Sequence, residues 1–141
     1  MKKTIENSID EFTNDSIFLS NYLKVDNLSN QDYDPKLTVK VSKRIEKNAT
    51  YIIQHNGTDQ FIKLLTHKTL AVASSAAEYL YPLYPNKCLD IIKKYAKTRK
   101  NPLDRKREED LINGLQKNVS FFTDHFKTIY DTDDYKNLSR E

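Results

Sequence analysis

Seven consecutive small residues, Ala71 to Ala77, constrain the fold of this 141-residue chain more than any other feature of its sequence. Small side chains let helix backbones approach closely. A helix with little bulk on any face therefore needs neighbours on several sides. The spacing predicts a helix over residues 70–81 that ends at a pair of prolines. We expect this helix at the centre of a helical domain, with Ala76 and Ala77 as packing contacts.

Apolar residues elsewhere recur every three or four positions, the period of an amphipathic helix. The chain has 2 glycines, too few for the turns of a hairpin-rich β fold. The predicted class is therefore all-α, with six or seven helices in a single domain over residues 1–141. The predicted segments are one helix (or two, with a break near 13–16) from Ile5 to Leu23, a polar loop at 26–35, and helices at 37–52, 58–65, 70–81, 85–96 and 104–129. Residues 132–141 are expected to form a frayed acidic tail.

Three positions carry local predictions. Gly57 follows a helix end, where a left-handed residue is common. Gly114 lies inside the last predicted helix, where glycine costs about 1 kcal/mol relative to alanine, so close packing is expected there. Asp104 is the expected cap of that helix.

Cysteine usage and hydropathy bear on the compartment. The single cysteine, Cys88, excludes an intrachain disulfide and a zinc site of several cysteines, and fits a reducing compartment. The acidic residues Glu6, Asp10 and Glu11 interrupt any signal-peptide core after the N-terminal lysines. No apolar run approaches the roughly 20 residues of a membrane span. We expect a cytoplasmic, bacterial-type protein that does not bind a membrane.

Charge is segregated along the chain. Residues 1–34 carry a net charge of −4, residues 35–107 of +11 and residues 108–141 of −4, for a total of +3. Either these segments neutralise one another in the folded domain, or they form two faces of opposite sign, one of which meets a charged partner.

Candidate catalytic residues are few. His55 lies near a helix end, where the helix dipole favours it, His67 lies in a predicted turn, and His125 is adjacent to Asp124 but points about 100° away from it on a helix. No pair of histidines has metal-ligand spacing, and Cys88 has no histidine near it in sequence. We therefore expect no enzymatic activity, no metal and no cofactor.

Tyrosine is the preferred aromatic residue, with nine tyrosines and no tryptophan. Tyr79, Tyr81 and Tyr84 cluster around the two prolines. Such residues either cover the core with their hydroxyls in water or contribute to an interface.

The middle of the chain resembles a known family. The matching positions are Leu64-Leu65, Val72-Ala73, Ala76-Ala77, Leu80, Pro85 and the helix from Leu89 to Ala96. Over residues 35–98 this pattern is similar to the small HEAT-like bacterial family catalogued as domain of unknown function 2019. Ala73 stands where that family has an arginine, and residues 103–141 have no counterpart. The resemblance implies a HEAT-like α-α superhelical stack, and such stacks usually present a surface to another macromolecule.

Two functions are compatible with these features. The first is an immunity protein that binds and neutralises a cognate bacterial toxin, since proteins of this size and style often accompany toxin genes. If the toxin is a ribonuclease it would be basic, and the predicted docking surface is then acidic, consisting of Asp124, Tyr130, Asp131, Asp133 and Asp134. The alternative is a nucleic-acid-binding helical-repeat protein. Its basic surface would include Lys93, Lys94, Lys97, Arg99 and Lys100.

Overall fold

The computed structural model describes residues 3–23 and 33–141, which form seven α-helices and two 3-10 helices without a strand in those ranges. In chain order they are α1 (Ile5–Tyr22), α2 (Pro35–Gln54), α3 (Thr58–Ile62), a 3-10 helix (Lys63–Thr66), α4 (Leu70–Leu80), α5 (Pro85–Thr98), α6 (Pro102–Gln116), α7 (Ser120–Ile129) and a second 3-10 helix (Tyr135–Leu138). The all-α class is thus confirmed, while a HEAT-like superhelical stack stays a prediction. Within the described ranges, none of the helices combines the length and hydropathy needed to cross a membrane.

Three helices begin at side-chain caps. Thr4 Oγ1 accepts the amide of Asn7 at 3.0 Å to open α1, and Asp34 Oδ1 accepts the amide of Lys36 at 2.9 Å to open α2. At α6 the cap is Asn101, whose Oδ1 accepts the amide of Leu103 at 2.9 Å. The prediction that Asp104 caps this helix is wrong, because its carboxylate is held in an ion pair with Arg99 instead.

The first helix is a single unit. The optional break near residues 13–16 does not occur, because Asp15 and Ser16 are buried against neighbouring helices. Asp15 receives both a 2.7 Å bond from Arg44 Nε and a second 2.7 Å bond from Arg44 Nη2, which joins α1 to α2. Most of the predicted polar loop at 26–35 lies outside the described residues.

The last predicted helix is divided in two. The chain leaves α6 at Lys117 and passes through Asn118, whose φ is 52°. The amide of Val119 then bonds to the carbonyl of Gly114 at 3.0 Å. This turn folds α7 back so that a Cβ on Gly114 would lie 2.1 Å from Phe122 Cε2. The close packing expected at Gly114 is therefore confirmed, whereas the continuous helix is not.

Gly57 plays a different role from the predicted one. The left-handed residue after α2 is Asn56, with a φ of 63°, whereas Gly57 has a φ of −94°. Its lack of a side chain serves packing, because a Cβ there would lie 2.8 Å from the Ile5 side chain and 2.9 Å from Ile52.

The helix of small residues lies at the centre of the core. Val72, Ala76, Ala77 and Leu80 of α4 are fully buried. This helix packs against α1 on one side and α5 on another. Beneath it, the rings of Phe12 and Phe61 meet edge to face with centroids 4.9 Å apart. The central position predicted for α4 is confirmed.

Most neighbouring helices contact one another in the following order. α2 packs on α1, α1 on α4, α4 on α5 and α5 on α6, while α7 returns to contact α2. The candidate site lies in the spaces that residues of α2, α6 and α7 line.

The C-terminal segment is packed rather than frayed. Tyr135 is 5% exposed, and the amide of Arg140 bonds to the carbonyl of Leu83 at 2.8 Å. Glu141 accepts the amides of Asn86 at 2.7 Å and Lys87 at 3.0 Å, and so caps the first turn of α5. The expected fraying of residues 132–141 was wrong because sequence alone does not show these distant partners.

Candidate functional site

A groove runs between α2 and α7, which lie side by side. Gln54 Nε2 at the end of α2 bonds to the carbonyls of Thr128 at 3.3 Å and Ile129 at 3.2 Å. Nearer the middle of the two helices, His125 Nε2 lies 3.3 Å from Glu46 Oε1. The resulting space measures about 730 Å³. It is lined by Lys40, Lys43, Arg44, Glu46, Lys47 and Thr50 from α2, and by His125, Thr128 and Ile129 from α7.

The two ends of this groove differ in character. Lys40, Lys43 and Lys47 follow at spacings of three and four on α2, so they form one basic wall. Towards the start of both helices the exposed side chains of Val39 and Phe121 line an adjoining space, which shares Lys43, Glu46 and His125 with the groove. Phe121 is 74% exposed and its ring packs edge to face on Phe122. An exposed aromatic side chain beside a groove is typical of protein-binding surfaces.

A second, deeper space adjoins the groove. It measures about 410 Å³ and lies between α1, α2, α4, α6 and α7. Its lining is Leu19, Ser42, Ile45, Ser75, Glu78, Tyr79, Arg107, Glu108, Asp110, Leu111 and Phe122. We call this space the carboxylate cavity, after Glu78, Glu108 and Asp110.

Two of these carboxyl groups are in a strongly perturbed environment. Burial, together with the negative charge of Glu108, raises the pKa of Glu78 to about 8. Burial also raises the pKa of Glu108, which is 2% exposed. Neither carboxyl receives a hydrogen bond or an ion pair from the residues that the structure describes. Perturbed acids in a cavity are a recognised feature of functional sites.

The predicted acidic surface is only partly available. Asp124, Asp131 and Asp133 are exposed on α7 and in the turn after it. Asp134 is exposed too, but its carboxylate accepts a 2.7 Å bond from Asn137. Tyr130 is half-buried, and its hydroxyl donates to the carbonyl of Tyr79 at 2.7 Å. This bond anchors the end of α7 to α4, so Tyr130 belongs to the fold more than to a docking surface.

One residue of the predicted basic surface is buried. Arg99 is buried, its Nε pairs with Asp104, and its Nη2 donates to the carbonyl of Ser20 at 2.9 Å. Its inclusion in a surface was wrong, because its guanidinium joins α1, α5 and α6 inside the fold. Lys93, Lys94, Lys97 and Lys100 are exposed. Further along, Arg105 and Lys106 form ion pairs with Glu109 and Asp110 one turn away on α6.

The three histidines and the cysteine make contacts within the fold. His55 Nδ1 lies 2.9 Å from the carbonyl of Tyr51, His67 Nδ1 accepts the amide of Thr69 at 2.9 Å, and His125 Nε2 lies 3.3 Å from Glu46 Oε1. Cys88 is fully buried, and burial raises the pKa of its thiol to about 12. Over the described residues, no group of three or more ligand-type side chains could hold a metal ion.

Comparison with protein-family models, with curated proteins and with solved structures finds no match for this chain.

Sequence patterns did not single out Glu78 and Glu108. Glu108 lies in the run of charged residues from Arg105 to Asp110, where it resembles an ordinary solvated residue. Glu78 gave a faint signal, since it is the only charged residue between Leu70 and Leu80. A lone acid on a helix whose neighbours are all small or apolar is expected to be partly buried.

Proposed function

We propose that this chain is a non-enzymatic protein-binding module of the immunity type, which holds a protein toxin at the groove between α2 and α7. The observation that carries the proposal is the exposed ring of Phe121 beside that groove. Exposed apolar groups that border a groove are favoured anchors for a partner, because a docked partner removes them from water. The HEAT-like stack implied by the resemblance would present such a concave surface.

Charge around Phe121 supports a partner with a basic face. Asp124 follows Phe121 by three residues on α7, so the two side chains share a side of the helix. Asp131, Asp133 and Asp134 extend the acidic character beyond the end of α7. A basic toxin, such as a nuclease that holds phosphate, would be steered to these carboxylates. The lysines of α2 across the groove would then meet acidic groups of the same partner.

The test uses the protein product of the gene next to its own, co-produced and purified with this chain. A stable complex of fixed stoichiometry is expected, and surface plasmon resonance would give its association and dissociation rates. Phe121→Ser should weaken binding by about 30-fold or more, mainly through faster dissociation. Absence of any complex, or unchanged affinity of Phe121→Ser, would contradict the proposed groove.

Charge reversal separates the two candidate surfaces. Replacement of Asp124, Asp131 and Asp133 by lysine should slow association, and more so at low salt, because exposed charges are screened beyond about 8 Å at physiological ionic strength. The matched control replaces Lys93, Lys97 and Lys100 by glutamate, with the same number of reversed charges on α5 and beyond it. A larger loss in this control than in the aspartate variant would move the docking surface to α5.

The second candidate function is nucleic-acid binding through α5. It is favoured by four exposed lysines, Lys93, Lys94, Lys97 and Lys100, which no carboxylate in the described part of the chain pairs with. Filter binding with a single-stranded RNA should then show affinity that falls steeply with salt, and reversal of Lys93, Lys97 and Lys100 should abolish it. Weak binding that is the same for both charge-reversed variants would eliminate this function.

A further inference from the structure

The carboxylate cavity has a surplus of acidic side chains that the fold does not balance. Its lining contains three carboxyl groups, Glu78, Glu108 and Asp110, and one cationic side chain, Arg107. Asp110 already has a partner, because Lys106 Nζ lies 3.3 Å from its carboxylate on the outer side of α6. Arg107 is exposed and forms no ion pair with a described residue. The unbalanced groups are therefore Glu78 from α4 and Glu108 from α6.

Of the two, Glu108 gives the stronger indication of a bound ligand. Its side chain is almost entirely withdrawn from water, with 2% of the residue exposed, and it lines the cavity. No described residue donates a hydrogen bond to its carboxylate. Burial of an ionisable group without a partner is strongly unfavourable, so such groups are normally paired or bound to a ligand. A bound cation would satisfy this carboxylate.

Additional polar atoms surround the two carboxylates. The hydroxyls of Ser42 and Ser75 line the cavity itself. Behind it, a smaller space of about 20 Å³ is lined by Ser16, Ser74, Glu78 and Glu108, among others. Ser16 Oγ and Ser74 Oγ are buried and have no hydrogen-bond partner among the described residues. The cavity and this smaller space together thus offer carboxylate and hydroxyl oxygens, which accept hydrogen bonds from an N–H donor.

The remaining walls are apolar and aromatic. Leu19, Ile45 and Leu111 supply aliphatic surface, while Tyr79 and Phe122 supply ring surface. A hydrated inorganic ion gains little from such walls, whereas the methylene groups of an organic cation are removed from water by them. Aromatic rings also attract organic cations. The volume of about 410 Å³ lies within the range of small-ligand pockets, about 300–1,000 Å³.

We propose that the carboxylate cavity binds an organic cation, an alkylammonium or alkylguanidinium group held by Glu78 and Glu108 with its carbon chain between Leu111 and the rings of Tyr79 and Phe122. Such a group is present in free diamines and in the lysine and arginine side chains of a protein. Phe121 does not line this cavity, but it lines an adjoining space together with Glu78, Tyr79 and Phe122. Binding of free organic cations at Glu108 is measured without a partner, so its outcome does not depend on the proposed toxin.

The test is isothermal titration of the purified protein with putrescine, agmatine and N-acetyl-lysine methylamide. At least one of them should bind with a Kd of about 1 mM or tighter. Uncharged n-butanol and inorganic phosphate serve as controls and should not bind. If the diamine or agmatine binds best, the ligand is a free small molecule, and if the lysine derivative binds best, the ligand is a protein side chain. Failure of all three cations, or preferential binding of phosphate, would overturn the proposal.

Two isosteric variants locate the site. Glu108→Gln should reduce the affinity for the best cation by about tenfold or more, because it removes the charge from a charge-assisted hydrogen bond. Glu109→Gln is the matched control, since Glu109 is the neighbouring residue on α6, is exposed and does not line the cavity. Equal affinities of the two variants would overturn the proposal. If Glu108→Gln does not fold, as judged by circular dichroism, Glu78→Gln replaces it with the same expected loss.

Substitution of Arg107 provides a further test, in which the affinity for the cation is expected to rise. Its guanidinium competes with a ligand cation for the carboxylates, and its positive charge lowers the pKa of both Glu78 and Glu108. Arg107→Gln should therefore tighten binding of the cation several-fold. A weaker affinity in this variant would mean that Arg107 itself holds the ligand, as expected for an anion site, and would contradict the proposal.

Discussion

At the scale of single residues, Glu78 is an acidic group whose chemistry the fold changes strongly. Its carboxyl has a pKa of about 8 in the folded chain, compared with about 4.3 for an unperturbed glutamate. The groups that face it are Lys43 and Glu46 from α2, Tyr95 from α5, Arg107, Glu108 and Asp110 from α6, and His125 from α7. Burial in their midst, with Glu108 adding negative charge, favours the protonated form of Glu78 when no cation is bound beside it.

This shift predicts a pH-dependent stability. As pH rises from about 4.3 the unfolded chain releases the Glu78 proton first, so the folded state loses stability until the pH reaches the folded pKa. The free energy of unfolding should fall by about 1–4 kcal/mol over that window, since one pKa unit corresponds to about 1.4 kcal/mol. Urea denaturation at a series of pH values measures it. Glu78→Gln removes this contribution but leaves His125 in place, so an unchanged pH dependence in the variant would rule out Glu78 as the cause.

Replacement of Gly114 by alanine is expected to destabilise the protein, although this change usually stabilises a helix. In an exposed helix, replacement of glycine by alanine stabilises by about 1 kcal/mol. Here the new Cβ would lie 2.1 Å from the Phe122 ring, so Gly114→Ala should instead destabilise by about 1–3 kcal/mol. Thermal or urea denaturation would measure this. The control is Gly114→Ala combined with Phe122→Leu, which should recover most of the loss, and a stabilised single variant would show that the ring moves aside freely.

Predictions about single residues were confirmed where they depended only on residues nearby in the sequence. The close packing at Gly114 followed from the cost of glycine inside a helix, and the helix-end position of His55 followed from its spacing. The placement of Arg99 failed, because a lysine-rich context suggests solvent whereas the structure buries Arg99 against Asp104 and Ser20. The charge of a residue does not reveal whether an opposite charge from another helix is within reach.

At the scale of helices, α4 lies between α1 and α5. Its buried face meets α1, and another face meets α5, with Ala76 and Ala77 fully buried between them. Residues without bulk are required where two backbones approach the same helix. The same helix exposes Ser75 and Glu78 to the carboxylate cavity, so its faces tolerate different changes.

Because one face of α4 is packed and another borders a cavity, two substitutions on this helix should differ in their effect on stability. Ala77→Leu should overpack the core and destabilise by about 1–3 kcal/mol. Ser75→Leu adds similar bulk to the same helix, but Ser75 faces a cavity of about 410 Å³, so a smaller loss is expected. Urea denaturation of both variants would provide the comparison. If the two losses were equal, or if Ala77→Leu were neutral, the helix would not be constrained from several sides.

The division of residues 104–129 into two helices depends on how α6 and α7 pack together. Apolar spacing continues across the junction, so the pattern predicted one helix. The turn at Asn118 forms because the chain can fold back to place Phe122 over Gly114 and Phe126 in the core, where it is 3% exposed. The energy of that long-range packing exceeds the modest local preference for continuing a helix.

At the scale of the whole molecule, the C-terminal segment connects distant parts of the chain. Glu141 accepts two amides at the start of α5, which would otherwise lack intrahelical partners. Arg140 reaches Asp59 on α3, with 3.5 Å between Nη1 and Oδ1. The segment thus links α3 to the start of α5.

These contacts predict that Glu141 contributes to stability. Glu141→Ala should destabilise the protein by about 0.5–2 kcal/mol, the range for loss of a helix cap. The control is Glu109→Ala, which removes an exposed glutamate paired only within α6 and should change stability by about 0.5 kcal/mol or less. Differential scanning calorimetry would measure both. Equal melting temperatures for the Glu141 variant and the unchanged protein would mean that the cap is not populated in solution.

By itself, the sequence determined the all-α class, the positions of most helices and the central place of α4. These depend on periodicity and on residues a few positions apart, such as the small residues of α4 and the prolines that follow it. Only the tertiary structure decided that Arg99 and Glu108 are buried, that the last helix is two, that the tail is packed, and that Glu78 and Glu108 share one cavity. Each of these outcomes depends on groups many residues apart, whose distance is set by how the helices pack and not by the local pattern of the chain.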